Sequence, residues 1–363
     1  MEDLDGNYTT PGSADYSILL DVANGTYADL SYLDVNTLIL LTYLGNVAFG
    51  ALMNSLAFLA ILRNKKRNGT LSVILQISAA DVASTCVCFL EIWSLRSDTW
   101  RFPSELCPMF SGFEVLLNTL TLYLIITLNF HTISLCNLKV ERKTRNPLTS
   151  CESSNECLVR DSRNTSESRK QEVSVIIPCV LVWFICISLS IPQFTLSSVM
   201  TLKGNYSICT VADAYYNVIL QESLMLFRVF IPLCLLAIST LLVAWKSYEF
   251  SRKNTFQNIF MKKADNVLYY LIFCLFLNST YILTSVQRLA LTSMHTLNSA
   301  SGDVLDTYKM PPLFNNVVDY WNIWSTMLHY SGTFFRFIIY VLLLPKFKAL
   351  FCNKILMCFT VKQ

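Results

Sequence analysis

The sequence predicts an all-α membrane protein built as a seven-transmembrane helix bundle. Three observations carry this. The chain has 363 residues, of which 53% are hydrophobic and 15% charged, with a mean hydropathy of +0.44; a soluble domain carries ~25% charged residues. Seven windows meet the length and apolarity of a spanning helix, at 36–62, 71–95, 107–136, 173–197, 216–245, 265–288 and 317–344. The basic residues are one-sided: 21 of the 28 Lys and Arg fall in 63–67, 138–172, 246–263 and the tail after Pro345. The positive-inside rule makes that side cytoplasmic. An odd number of spans then leaves the N-terminus outside. The expected division is an extracellular tail over 1–35, the bundle over 36–344 and a cytoplasmic segment over 345–363.

The window 107–136 is the central one. It is almost wholly apolar yet holds Glu114, Asn118, Thr121 and Asn129, spaced four, three and eight apart. That spacing keeps the four near one helical face. Polar groups are costly in lipid, so this face is expected to look into the bundle or a wet cavity.

Taken in order, the tail 1–35 carries seven acids and no Lys or Arg. It lacks the basic and apolar regions of a cleaved signal peptide. Its negative charge either attracts a cationic ligand or only solvates a disordered tail. Sequons at Asn7, Asn24 and Asn205 lie on the outer side and are expected to be glycosylated. Those at Asn68 and Asn164 lie inside and are read as chance matches. The inner loop 138–172 is rich in Ser, Thr, Glu, Lys and Arg and reads as disordered. It is either a site of phosphorylation or a flexible linker. Residues 246–264 read as a short inner loop and 289–316 as a sizeable outer one.

Several marks in this order resemble the rhodopsin-like G-protein-coupled receptors. They are Asn54 in the first window, the basic loop after it, and Ser78-Ala-Ala-Asp81 in the second. Trp100-Arg-Phe102 precedes Cys107. Trp183 and Pro192 mark the fourth window, Cys209 the loop after it and Pro232 the fifth. Tyr340 followed by Phe347 is similar to the end of the seventh helix and the start of a short amphipathic eighth. The resemblance covers most of 36–352. Three motifs depart from the family: His131-Thr132-Ile133 stands at the Asp-Arg-Tyr site, the sixth window has no Cys-Trp-x-Pro, and Arg336-Phe-Ile-Ile-Tyr340 replaces Asn-Pro-x-x-Tyr.

The resemblance implies a disulfide between Cys107 and Cys209, the two cysteines clearly outside, in an oxidising compartment. It implies inner-face coupling through His131, Thr132 and Tyr340. It also places Asp81 near Arg336 at mid-membrane, where the family commonly holds a sodium ion. A direct salt bridge is expected instead, because the guanidinium fills the space and repels the ion. Cys352 and Cys358 follow the last span and are either palmitoylated or plain thiols.

Intramembrane charges are functional by default. Glu91, Glu114 and Arg228 are expected at the ligand pocket, with a Glu on a ligand cation and Arg228 on an anionic group. The alternative is an internal Glu114–Arg228 pair that only orders the bundle. Trp321 and Trp324 either line the pocket or belong to an interfacial aromatic belt.

No catalytic constellation, metal-ligand spacing or phosphate loop is visible. No enzyme activity, cofactor, metal or nucleic-acid partner is expected. The resemblance implies a plasma-membrane receptor, here expected to take a peptide, with a heterotrimeric G protein and arrestin as inner partners and the lipid bilayer around it. The alternative is a non-signalling decoy or scavenger. A transporter finds no support in internal repeats or Gly/Pro-broken helix pairs.

Overall fold

The structure is a computed structural model that describes residues 41, 43–64, 67–97, 100–145, 174–202, 206–211, 215–257, 266–300, 312–344, 347–349 and 351. Seven helices among these are long and apolar enough to cross a membrane. They make the chain a multi-pass membrane protein. Two compact units are distinguished, Met1–Asn46 and Val47–Gln363. The described part of the first is helical and begins α1, whose span is Tyr43–Leu62. The second holds the rest of α1 and everything described below.

The elements that follow are α2 (Gly69–Ser97), α3 (Leu106–Arg145) and α4 (Ile176–Leu196). A hairpin of β1 (Ser197–Leu202) and β2 (Tyr206–Val211) comes next. The fifth helix, α5, consists of Tyr215–Met225, a π-helical turn Leu226–Phe230, and Ile231–Gln257. The chain continues through α6 (Asn266–Ala300) and α7 (Pro312–Leu343).

Helix α4 shows what solvent this fold is built for. Cys179, Val182, Cys186, Ser190 and Gln193 are buried, at steps of three and four that make one face. Ile176, Ile177, Phe184 and Ile191 are more than half exposed. The outward face is thus more apolar than the inward one. In water that pattern would be a large exposed patch; in lipid it is the stable arrangement.

Helix α3 is the axis. It packs against α2, α4, α5 and α6 and against both strands. Its polar residues turn inward, as helix periodicity requires: Glu114 and Asn118 border a cavity, and Thr121 and Asn129 are buried. Around it lies a core that includes Ile74, Ile77, Leu120, Leu124, Ile125, Leu128, Phe273 and Leu277. Association between helices in lipid depends on close packing and interhelical hydrogen bonds. Here Asn129 Nδ2 donates to Ser239 Oγ at 3.0 Å and to Asn278 Oδ1 at 3.2 Å, and Asn278 Nδ2 donates to Thr240 Oγ1 at 2.9 Å. Trp183 Nε1 donates to Gln76 Oε1 at 2.9 Å, joining α4 to α2. Asn54 Nδ2 donates to the carbonyls of Gly50 and Thr333, each at 3.0 Å, joining α1 to α7. Gly50 permits that approach, since a Cβ there would lie 2.7 Å from Thr333 Oγ1.

Several sequence expectations are corrected. The all-α, seven-helix class holds, and the loop after α4 adds to it a short hairpin, whose register pairs Val199 with Cys209 and Leu202 with Tyr206. Residues 289–316 are not one loop, because α6 continues to Ala300 and α7 starts at Pro312. The sequence has no Gly or Pro between Val267 and Ala300, so nothing there breaks the helix. The inner loop 246–264 is largely helix too, α5 running to Gln257. Beyond Leu343, residues 347–349 and 351 are helical. Phe347 is buried against Phe337 and Tyr340. The rest of the tail after 351, residues 1–40 and residues 146–173 of the inner loop lie outside the described residues.

Candidate functional site

At the hairpin end of the bundle a cavity of about 170 Å3 opens between α3, α4, α5, α6 and β2. Its roof is held in place from three directions. Cys107 at the start of α3 is disulfide-bonded to Cys209 in β2. Ser111 Oγ, one turn along α3, lies 3.5 Å from Cys209 Sγ. The Trp100 backbone N–H donates to the Ser207 carbonyl at 2.5 Å, while its ring packs on Phe102 and Phe110. A two-stranded ribbon is marginal alone, so these ties position β2 over the cavity.

One wall carries charge. Arg288 of α6 bonds with Nη2 to Glu91 Oε1 of α2 and to Glu114 Oε1 of α3, the latter at 3.2 Å. Its Nη1 donates to Thr326 Oγ1 of α7. Tyr330 OH of α7 donates to Glu91 Oε2 at 2.8 Å. Four helices therefore meet on one guanidinium, and two carboxylates share it. Of the three charged residues, Glu114 is the one that borders the cavity.

The facing wall is α5. Its π turn presents Arg228, whose Nε donates to the Leu189 carbonyl of α4 at 3.0 Å, with Nη2 on the same oxygen. Tyr123 OH of α3 donates to the Phe227 carbonyl at 2.9 Å, satisfying an acceptor inside that turn. π turns of this kind recur at functional sites. Gln221 and Gln193 complete this side, with Gln193 Nε2 donating to Gln221 Oε1 at 3.3 Å.

Deeper in the bundle, Arg336 of α7 meets Asp81 of α2 by two hydrogen bonds, Nε to Oδ2 at 3.0 Å and Nη2 to Oδ1 at 2.5 Å. Both side chains are buried.

The structure thus brings together Cys107 with Cys209, Asp81 with Arg336, and Glu91 with Glu114. It does not pair Glu114 with Arg228, although both border the cavity, because Arg288 has taken the carboxylate. Trp321 and Trp324 do not line this cavity; they are 51% and 54% exposed. His131, Thr132 and Tyr340 are buried rather than presented at a surface. Thr132 Oγ1 donates to the Leu128 carbonyl at 2.8 Å and lies 3.4 Å from Cys274 Sγ. Tyr340 packs on Phe273 and Phe347. Asn7, Asn24, Asn205, Cys352 and Cys358 lie outside the described residues.

Sequence reasoning missed Arg288, Thr326, Tyr330, Gln193 and Gln221. For Arg288 a signal existed. Leu289, Ala290 and Leu291 follow it, so the helical run did not end where the apolar window was closed. No protein-family model matches the chain, and no curated protein does.

Proposed function

We propose that the protein is a rhodopsin-like G-protein-coupled receptor of the plasma membrane, with its N-terminus outside, that takes the end of a peptide ligand. The observation carrying this reading is the cavity. It has charged and amide side chains on a roof-pinned site at one end of a seven-helix bundle, the kind of concave, partly polar site that binds ligands. At about 170 Å3 it matches a group of benzene size. A larger ligand therefore inserts one terminal side chain and rests the remainder on the hairpin.

Signalling follows from which helices line the site. A ligand can only bias states that it contacts differently. Here it touches α3, α5 and α6, the same three helices joined farther along by Asn129, Ser239, Asn278 and Thr240. A shift of α5 or α6 against α3 is transmitted through that shared network to the opposite end, where a G protein docks. Arrestin is the expected second inner partner.

A second reading has a specific observation behind it. His131 and Thr132 stand where the family's coupling arginine would be, and both are packed inside the bundle. A binding-only decoy or scavenger fits that. One experiment separates the two: cells expressing the chain are screened with a library of secreted peptides, reading both peptide uptake and G-protein activation. Activation by a bound peptide supports the receptor. Binding and uptake with no activation of any G-protein class support the scavenger and remove the receptor.

A further inference from the structure

The chemistry of the ligand group can be taken one step further, on the reading that this cavity is a ligand site. Arg228 is 7% exposed and borders the cavity. Its hydrogen bonds go to a neutral carbonyl, that of Leu189. No carboxylate lies within 4.0 Å of it among the described residues. The carboxylate that borders the same cavity, Glu114, is engaged by Arg288 at 3.2 Å. Gln221 borders the cavity too and is 2% exposed. Its Oε1 accepts from Gln193, but its Nε2 has no hydrogen-bond partner. A guanidinium without a counter-charge and an amide without an acceptor are both costly at such burial. Both lie on α5 and both are donors. One acceptor-rich anion relieves the two together, and charge-assisted bonds to guanidinium are the stronger kind.

We infer that the cavity takes an anionic, carboxylate-type group of its ligand, bound by Arg228 and Gln221, rather than a cation bound by Glu114. The opposite wall supports this. Glu114 and Glu91 already have Arg288, and Glu91 has Tyr330 in addition. Arg228 alone among the cavity's charges is left with neutral partners.

The test uses the full chain purified in detergent and reads thermal unfolding. Signalling plays no part in it, so it can fail while the receptor reading stands, and the reverse. The probes are benzoate, its neutral isostere benzamide and the cation benzylamine, all at millimolar concentration and equal ionic strength. Benzoate is expected to raise Tm by about 2–4 °C, the response of a chain this size to modest binding. Benzamide and benzylamine are expected to raise it less. Arg228→Gln removes the benzoate shift and leaves the ligand-free Tm unchanged or higher, since it deletes an uncompensated charge. Should that variant fail to fold, Gln221→Leu serves instead, with the benzoate shift at least halved. Acetylphenylalanine then identifies the source. A larger shift than benzoate gives means a peptide C-terminus, and a smaller one means a free organic acid. Equal shifts from benzoate and benzamide, a larger one from benzylamine, a benzoate shift that survives Arg228→Gln, or no benzoate shift would overturn the assignment.

Discussion

Arg336 of α7 and Asp81 of α2 are 255 residues apart in sequence and joined side by side, Nε to Oδ2 at 3.0 Å and Nη2 to Oδ1 at 2.5 Å. Both are buried in the bundle. Such a pair is weak evidence for stability, because desolvation offsets much of the attraction. Its consequence appears when one partner is removed. Arg336→Met leaves a buried carboxylate uncompensated and should cost roughly 3–5 kcal/mol. Asp81→Asn with Arg336→Asn restores an uncharged polar pair and should cost less. Thermal unfolding of the two purified variants decides the order; the single variant being the more stable would refute it. The guanidinium also repels a cation, so replacing sodium by potassium should leave Tm unchanged.

The disulfide is the next test. Cys107 and Cys209 connect residues 102 apart in sequence and hold β2 across the cavity. Without it, the side-chain and backbone hydrogen bonds that tie β2 to α3 and its approach, among the described residues, are those of Trp100 with Ser207 and of Ser111 with Cys209. Cys107→Ala is expected to lower stability by ~2–5 kcal/mol and to cut the level of protein at the cell surface. Flow cytometry of epitope-tagged cells measures this. Surface levels equal to the unmodified chain would show that the roof stands without its bond.

Glycine packing offers a sharper local prediction. Gly69 opens α2 at a point where α3 and the approach to α4 crowd it. A Cβ there would lie 2.2 Å from Val175 Cγ2 and 2.7 Å from His131 Nε2. Val175 and His131 are both buried, so neither moves freely. Gly69→Ala should therefore destabilise by ~1–3 kcal/mol, the cost of overpacking. At an open helical position the same exchange would stabilise, since alanine is the better helix former. A rise in Tm for Gly69→Ala would show that Val175 and His131 give way at little cost.

The fold was legible because lipid imposes length and apolarity on every span, and each of the seven windows overlaps one of the seven spanning helices among the described residues. What the windows missed lies beyond the lipid's constraint. Helices α3, α5 and α6 run past their apolar stretches, and β1 and β2 sit in what read as plain loop. The hairpin had a local signal, with Val199 and Thr201 before Gly204-Asn205 and Ile208, Thr210 and Val211 after it. The site was legible only in part. Counting back four from Tyr340 reached Arg336, and the structure sets that residue on Asp81. The Glu114–Arg228 pair weighed as the alternative to a ligand site, in contrast, does not form; Glu114 is on Arg288 instead. A single sequence gives the turn along each helix but not its azimuth towards neighbours, and Arg288 was passed over because it stands at the last position of the sixth window, 265–288, where it reads as a helix end rather than as an intramembrane charge.

That lost residue gives the last prediction. Arg288 serves two carboxylates, Glu91 and Glu114, and a hydroxyl, Thr326. The three charges sum to one negative, so the cluster is already short of positive charge before any change. Arg288→Met would leave two carboxylates facing one another inside the bundle, and like charges so close cannot both stay ionised cheaply. The loss should exceed that of any other single substitution discussed, at or above the ~3–5 kcal/mol of a stranded buried charge. Glu91→Gln should be milder, because the amide oxygen still accepts from Arg288, the Tyr330 hydroxyl can turn to accept from the amide NH2, and the remaining Glu114–Arg288 pair is balanced. The triple change Arg288→Met, Glu91→Gln and Glu114→Gln removes every charge and should recover most of what Arg288→Met loses. Thermal unfolding of the three purified variants tests this order. Were the triple variant no more stable than Arg288→Met, the guanidinium would be acting through packing and its bond to Thr326 rather than through charge.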